Sequence, residues 1–232
     1  MKKKLDIQKE KEYLSEQAKA FNVKLEENLK VVYANSLGEV DDCMLDFRKT
    51  EDEGLVVYYS FKLHKLLAEV GAIEKELSKL RHINPEIVII EEQDANLNDS
   101  NFITRLKDSF QYYSYLFRYQ HPGYETENYY RQQIQNIVGC EGRDRIVRQQ
   151  TLAQWRSCFL TAGFLPFPLE LPQTKLFEIQ FHKDNGSVVV TNKNRSVYFI
   201  SAWKVKDGED DFNPSSNNLE EQGILCFLNN SP

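Results

Sequence analysis

Residues 83–99, "INPEIVIIEEQDANLND", place Glu91, Glu92 and Asp94 directly behind the β-branched run Ile87, Val88, Ile89 and Ile90. Carboxylates grouped at one strand end are the side chains of general acid–base work, and in an open α/β sheet ligands lie just beyond the carboxyl ends of parallel strands. The same acids also serve as plain polar termination, because a buried strand has to end in water. A catalytic reading needs a second group. The chain carries 4 histidines, and no serine or cysteine stands beside one in a recognisable nucleophile pattern, so the set of nucleophile, base and orienting group stays incomplete. The cysteines, Cys43, Cys140, Cys158 and Cys226, are scattered without the close pairs of a zinc site and read as free thiols of a reducing compartment. Arg143, Arg145, Arg148 and Arg156 in "GRDRIVRQQTLAQWR" form either a phosphate-binding patch or a solvated, salt-bridged face.

The bulk of the chain narrows the partners. With 232 residues and a net charge of -6, it is long enough to bury a sizeable core and lacks the charge excess of an extended phosphate-binding surface. No apolar run approaches the roughly 20 residues that cross a bilayer. The Met-Lys-Lys-Lys start leads into charge rather than into an apolar signal core, so export is not expected.

The elements that must position these groups alternate along the chain. Leu14, Ala18 and Phe21 mark a helix over 7–21, and Leu29, Val31, Val32 and Tyr33 a short strand. From 55 to 80 the steps between Leu63, Leu66, Leu67, Val70, Ile73, Leu77 and Leu80 predict mostly helix with a break at Gly71, although Val56 and Val57 alone suggest strand. After the strand at 87–90, Phe102, Leu106, Phe110, Tyr113 and Phe117 recur at helical spacing as an aromatic face that reads as packed core. "IQNIVGCEG", 134–142, reads as a second small strand closed by an acid and a glycine. Thr151 and Gln154 fit a capping box ahead of Leu152, Trp155 and Phe159, and Gly163 fits a left-handed exit. "FEIQF", "SVVVT" and "SVYFISAWKV" then form an antiparallel hairpin that finishes the sheet. The predicted class is α/β, a parallel sheet with helices on its faces plus that C-terminal hairpin, over 1–205. Residues 206–232 turn to Asp, Glu, Asn and Ser and read as a disordered tail, apart from a local contact by 224–228.

Five segments taken together carry a family resemblance: "LHKLL" at 63–67, "INPEIVIIEEQDANLN", "FQYYSYLF", "NIVGCEGRDRIVRQQTLAQWRSCFLTAGF" and "SAWK". In order and approximate spacing they resemble the second leucine-rich region and the PFYRE and SAW blocks of the GRAS family of plant transcriptional regulators, over about 14–204. The resemblance implies a Rossmann-like, methyltransferase-like fold with a helical cap, a nuclear location, no catalysis and no cofactor. It implies work as an adaptor that binds DNA-binding transcription factors or another GRAS protein, with no sequence-specific DNA contact of its own and no membrane. It marks Glu92, Gln93, Asn96, Asn98, Tyr113, Glu141, Gly142, Arg148, Trp155, Arg195 and Trp203 as structural or partner-binding positions, with Glu92 and Asn96 holding the loop after the strand and Trp203 in the core.

Departures from the family pattern set further expectations. Against the family's "EQEANHN", Asp94 replaces Glu and Leu97 replaces His, so a histidine base or ligand is missing; Gln132 and Gln133 stand where an Arg-Glu pair is usual. The "VHIID" block and the leucine-rich region before it, which supply the first two strands, have no counterpart. In the strand order 3-2-1-4-5-7-6 implied by the resemblance, the strand at 87–90 would then have an unpaired apolar edge, and the glycine-containing cofactor turn would be absent. Two other readings stay open, a degenerate methyltransferase-like domain that binds a small molecule without catalysis, and a partial gene product without independent function.

Overall fold

The computed structural model describes residues 12, 15, 16, 18–20, 34, 36–40, 54–119, 123–169, 178–182, 186–192, 195–206 and 222–227. It divides into one unit of Met1–Phe47 with Leu228–Pro232 and a second of Arg48–Phe227. In the first unit the described positions between 12 and 20 are helical, and Leu37–Glu39 makes a 3-10 turn. The strand expected at 29–33 lies outside the described residues.

The second unit is α/β. Gly54–Ser60 is a strand, β1, and not the beginning of a helix. Its sequence, GLVVYYS, is β-branched and aromatic, and these side chains sit better on a pleated surface than in a helix. Helical geometry begins only beyond Phe61, as a 3-10 turn at Leu63–Ala68 and then helix α1, Ala72–Ile83. Gly71, at φ +82, supplies the break foreseen between them. Asn84, also left-handed, closes α1 by donating its N–H to the Leu80 carbonyl at 2.9 Å.

Strand β2, Ile87–Gln93, runs parallel to β1 with Val56 opposite Ile87 and Ser60 opposite Glu91. Its other side pairs antiparallel with β6, Arg195–Val205, so that Val88 faces Trp203 and Gln93 faces Tyr198. The expectation of a bare apolar edge at 87–90 is therefore overturned: β1, hidden in the leucine-spaced stretch, takes one side and β6 the other. The hairpin is as expected, with β4, Glu178–His182, antiparallel to β5, Ser187–Asn192, and β5 antiparallel to β6. Strand β3, Phe164–Phe167, adds to β6. Within the stretch read as a tail, Gln222–Phe227 is a strand, β7, parallel to the outer side of β1. The order is β4-β5-β6-β2-β1-β7.

Helix α2, Phe102–Tyr119, packs with α3, Tyr124–Gly139. That second helix contains "IQNIVG", which is thus not a strand. Ile134, Ile137 and Val138 fall at helical spacing and pack with the buried cluster around Tyr112, Tyr113 and Leu116; an apolar run this short does not distinguish strand from helix by itself. Helix α4, Leu152–Thr161, has the foreseen capping box of Thr151 and Gln154, and Gly163 turns at φ +83. Trp155 and Phe159 are fully buried. Phe159 stacks on Trp203 with ring centroids 4.9 Å apart, and the Trp203 indole donates to Ser201 Oγ at 2.9 Å. The SAW tryptophan is a core residue, as expected.

One glycine is required by space as well as by conformation. Gly186 sits at φ +57, and a Cβ there would lie 2.4 Å from the Phe167 carbonyl oxygen, while its own carbonyl accepts from Ala202 N at 2.9 Å. Gly71 is left-handed too, but nothing lies within 4 Å of its Cβ position. Gly186→Ala is expected to destabilise the fold by about 2 kcal/mol or more through backbone displacement, against about 1 kcal/mol for Gly71→Ala from backbone strain alone. Urea unfolding followed by tryptophan fluorescence distinguishes the two.

Candidate functional site

The carboxyl ends of β1 and β2 meet in a group of ionisable side chains, and the parallel register is what brings them together. Tyr58 donates its hydroxyl to the Glu91 carboxylate, and Ser60 Oγ donates to the same carboxylate at 3.1 Å. Burial pushes the Glu91 carboxyl up from its ordinary range, and these two hydrogen bonds pull it back in part. Tyr59 Oη donates to Glu76 Oε1 of α1 at 2.7 Å, and burial, with the Glu76 charge beside it, raises the phenol well above its usual value. The chain turns at Phe61, a non-glycine residue at φ +50 whose N–H reaches the Glu91 carbonyl at 2.8 Å. Burial, with Lys65 next to it, lowers the Lys62 ammonium to about 8.

Glu92 turns back to the same segment. It accepts the His64 backbone N–H at 3.1 Å and pairs with His64 Nδ1 at 2.8 Å, with both side chains buried. Glu92 thus ties down the turn after β1 rather than the loop after its own strand. A histidine oriented by a carboxylate is half of a catalytic base arrangement. Here Nε2 is shut off from solvent and has no hydrogen-bond partner among the described residues. Sequence reading missed His64 because its partner lies 28 residues away, and only the strand register discloses the contact.

The rest of the acid-and-amide run fastens the loop at 94–101. Gln93 Oε1 accepts from Gln149 Nε2 at 2.6 Å, and Leu97 N donates to the Gln149 carbonyl at 3.0 Å. Asp94 accepts the Leu152 N–H at 2.9 Å and the Ser196 hydroxyl at 2.5 Å. Asn96 Oδ1 accepts from Gln154 at 3.4 Å; Asn98 Oδ1 accepts from Arg148 at 3.1 Å. Leu97, in the position of the family's histidine, is fully buried.

Two of the arginines, Arg105 and Arg145, are buried. Buried Arg105 donates to the carbonyls of Asp99 and Ser100 at 3.0 and 3.1 Å and to the Glu141 carboxylate. Arg145 is buried and reaches the Leu97 carbonyl at 3.3 Å; burial first, then Arg148 and Arg105, lower its guanidinium to about 10. Arg148 serves the carbonyls of Arg145 and Gly142 at 2.9 and 2.7 Å, the latter residue at φ +58. Arg143 is exposed, so the set predicted from sequence is not one continuous patch. Tyr113 donates to Gln133 Oε1 at 2.8 Å, and Gln133 Nε2 in turn donates to Tyr129 Oη at 2.7 Å. That neutral chain stands where the family pattern places an ion pair. Arg195 lies over the Tyr115 ring at 5.3 Å and donates to the Gln111 carbonyl at 3.3 Å.

What faces water is α2. Ile103 is 67% exposed and Phe110 72%, with Phe102 and Leu106 at 41% each. The aromatic stripe expected to be core is buried only from Tyr113 onward. The side of α2 turned inward carries Arg105, Ser109, Tyr112, Tyr113 and Leu116, a set one residue, about 100°, round from the stripe. α3 covers the C-terminal half, where Tyr113 and Phe117 meet Tyr130 at 5.8 and 5.9 Å. A groove of about 580 Å³ remains open there, lined by Leu106, Phe110, Tyr113, Phe117, Ile134 and Val138 among others.

The fold resembles the crystal structure of SCL7 from Oryza sativa, with a TM-score of 0.62 at 21% identity over 83% of this chain and 58% of that one. In sequence, the chain is 39% identical over 188 residues to the DELLA protein GAIP of Cucurbita maxima, covering 74% of this chain and 32% of that protein. It is 40% identical over 189 residues to the DELLA protein GAI of Arabidopsis thaliana, covering 74% and 36%. The chain therefore spans about a third of the length of these relatives. The model of the GRAS domain family matches residues 2–204, and with the buried SAW tryptophan and the fastened "EEQDANLN" loop in place, the chain belongs to that family.

Proposed function

We propose that the chain is a nuclear plant transcriptional regulator that works as a protein–protein adaptor for DNA-binding transcription factors and performs no catalysis. The observation that carries this reading is the exposed apolar face of α2, with Ile103, Leu106 and Phe110 leading into the groove against α3. An apolar stripe at i, i+3 and i+7 beside a groove is suited to an amphipathic helix from a partner. The polar groups a small-molecule site would need, at the carboxyl ends of β1 and β2, are engaged within the fold. Glu76, Glu91 and Glu92 each have a donor. The inward arginines add support for reaching nucleic acid through a partner, since guanidinium hydrogens used on carbonyls are withdrawn from phosphate. Trp203 contributes as a core residue rather than as contact surface.

The test is capture of DNA-binding factors from plant nuclear extract by the purified chain and by Ile103→Asp/Phe110→Asp. Both side chains lie largely in water, so the double variant is expected to keep its unfolding free energy within about 0.5 kcal/mol while losing at least tenfold in bound factor. Equal capture by both proteins rejects α2 as the contact surface, and absence of any captured factor rejects the adaptor reading. Glu92→Gln is expected to behave in the opposite way. Replacing a buried carboxylate that holds two His64 nitrogens lowers stability by about 2 kcal/mol and leaves partner capture by the folded fraction unchanged. A variant as stable as the native chain in urea unfolding contradicts the fastening role of Glu92.

A further inference from the structure

The outer side of β1 presents a second surface, of a different kind. β7 is the last strand of the sheet, with β1 on one side and no described strand on the other. It pairs in parallel register from Gly54 opposite Gln222 to Tyr59 opposite Phe227. Residues 222–227, QGILCF, carry no charge, whereas the connection before them contains Asp207, Glu209, Asp210, Asp211, Glu220 and Glu221. Strands β1, β2 and β7 run one way and β6 the other, so the end of β6 at Val205 and the start of β7 at Gln222 lie at the same end of the sheet. The gap across β2 and β1 is about 14 Å at roughly 4.8 Å per strand. Residues 206–221 extend to as much as ~50 Å. β7 is thus a short strand paired along one edge and joined to the sheet through an acidic connection whose contour length exceeds the gap it spans, and such elements belong to the least stable part of a fold.

We propose that the outer edge of β1 is a strand-acceptor site, filled in cis by the chain's own Gln222–Phe227 and open to exchange with an uncharged, apolar, extended segment of a partner protein in the same parallel register. Backbone pairing along β1 supplies the binding, and apolar residues at the positions opposite Val56, Val57 and Tyr59, held in cis by Ile224, Leu225 and Phe227, supply the preference. The tether keeps the cis segment at an effective concentration of about a millimolar, so only a partner that binds more tightly than the detached segment displaces it. An unguarded apolar parallel edge also invites self-association, which the resident strand suppresses. The α2 face takes no part in this exchange, so failure of one proposal leaves the other standing.

Alternate N–H groups of a strand point to opposite sides, and this gives the test in the 232-residue chain. Gly223→Pro/Leu225→Pro removes the donors of one side of β7, and Ile224→Pro/Cys226→Pro those of the other. The expected result is that one pair, and only one, raises amide hydrogen exchange at Val56–Tyr59 by about tenfold or more and lets a labelled peptide of residues 220–228 bind with restored protection. The other pair, whose prolines face outward, behaves as the native chain. Unchanged exchange in both pairs, equal release by both, or a released edge that fails to bind the peptide each overturns the proposal. Should the β1-facing pair prevent folding, a photoreactive version of the peptide in excess over the native chain reads the same site: crosslinks within residues 54–59 are expected, and crosslinks elsewhere or none reject it.

Discussion

A strand hydrogen-bonded along both sides and covered on its faces can present polar groups only at its ends, and β2 is under that constraint. It is parallel to β1 and antiparallel to β6, with Val88 and Ile90 fully buried. The polar residues that follow Ile90, namely Glu91, Glu92 and Gln93 in the last part of the strand and Asp94 just beyond it, must find partners there, because an unpaired buried carboxylate or amide costs several times what a made hydrogen bond contributes. The partners come from far along the chain. His64 meets Glu92, Gln149 meets Gln93, and both Leu152 and Ser196 meet Asp94. The acid-rich strand end is therefore the junction at which the turn after β1, the loop before α4 and the hairpin are joined, and its chemistry is used for that joining.

How much of this could be read from the residues depends on the range of the signal. Local signals were legible: the Thr151–Gln154 capping box, the left-handed Gly163, the β-branched run of β2 and the hairpin of β5 and β6 all rest on neighbours a few positions apart. Val56 and Val57 were outweighed because the leucine steps continue from 63 to 80, and a periodicity count extended backward absorbs the strand. "IQNIVG" failed in the reverse direction, as a helical turn whose apolar residues cluster too closely to show their period. The His64–Glu92 pair had no local signature at all. The α2 stripe was legible as a stripe but not as a surface, since which of two adjacent helical faces is covered depends on where α3 packs.

Open sheets that contain parallel strands ordinarily receive ligands beyond the carboxyl ends of those strands. In this chain that position is held by Phe61 in a left-handed turn and by carboxylates already engaged by Tyr58, Tyr59, Ser60 and His64. On the adaptor reading, the surface for recognition lies where the fold leaves apolar area in water. Burying a residue such as Ile103 or Phe110 is worth about 1.5–3 kcal/mol, and α2 leaves both out. This is unfavourable for an isolated domain and favourable for one that is completed by another protein.

The distribution of charge leads to the same place by a separate route. Of the arginines grouped near the start of α4, Arg145 is buried and Arg148 partly so, and their hydrogens go to backbone carbonyls of the loop and of each other's segment. Burial first, and then the neighbouring Arg148 and Arg105 guanidiniums, weaken the hold of Arg145 on its proton. Arg105 and Arg145 are buried while Arg143 is exposed, and a net charge of -6 gives a polyanion such as DNA no general attraction to the chain. On the adaptor reading this is a requirement rather than an accident: a regulator that reaches DNA through another protein benefits from a surface that the phosphate backbone does not occupy, because the α2 face then stays available to the partner.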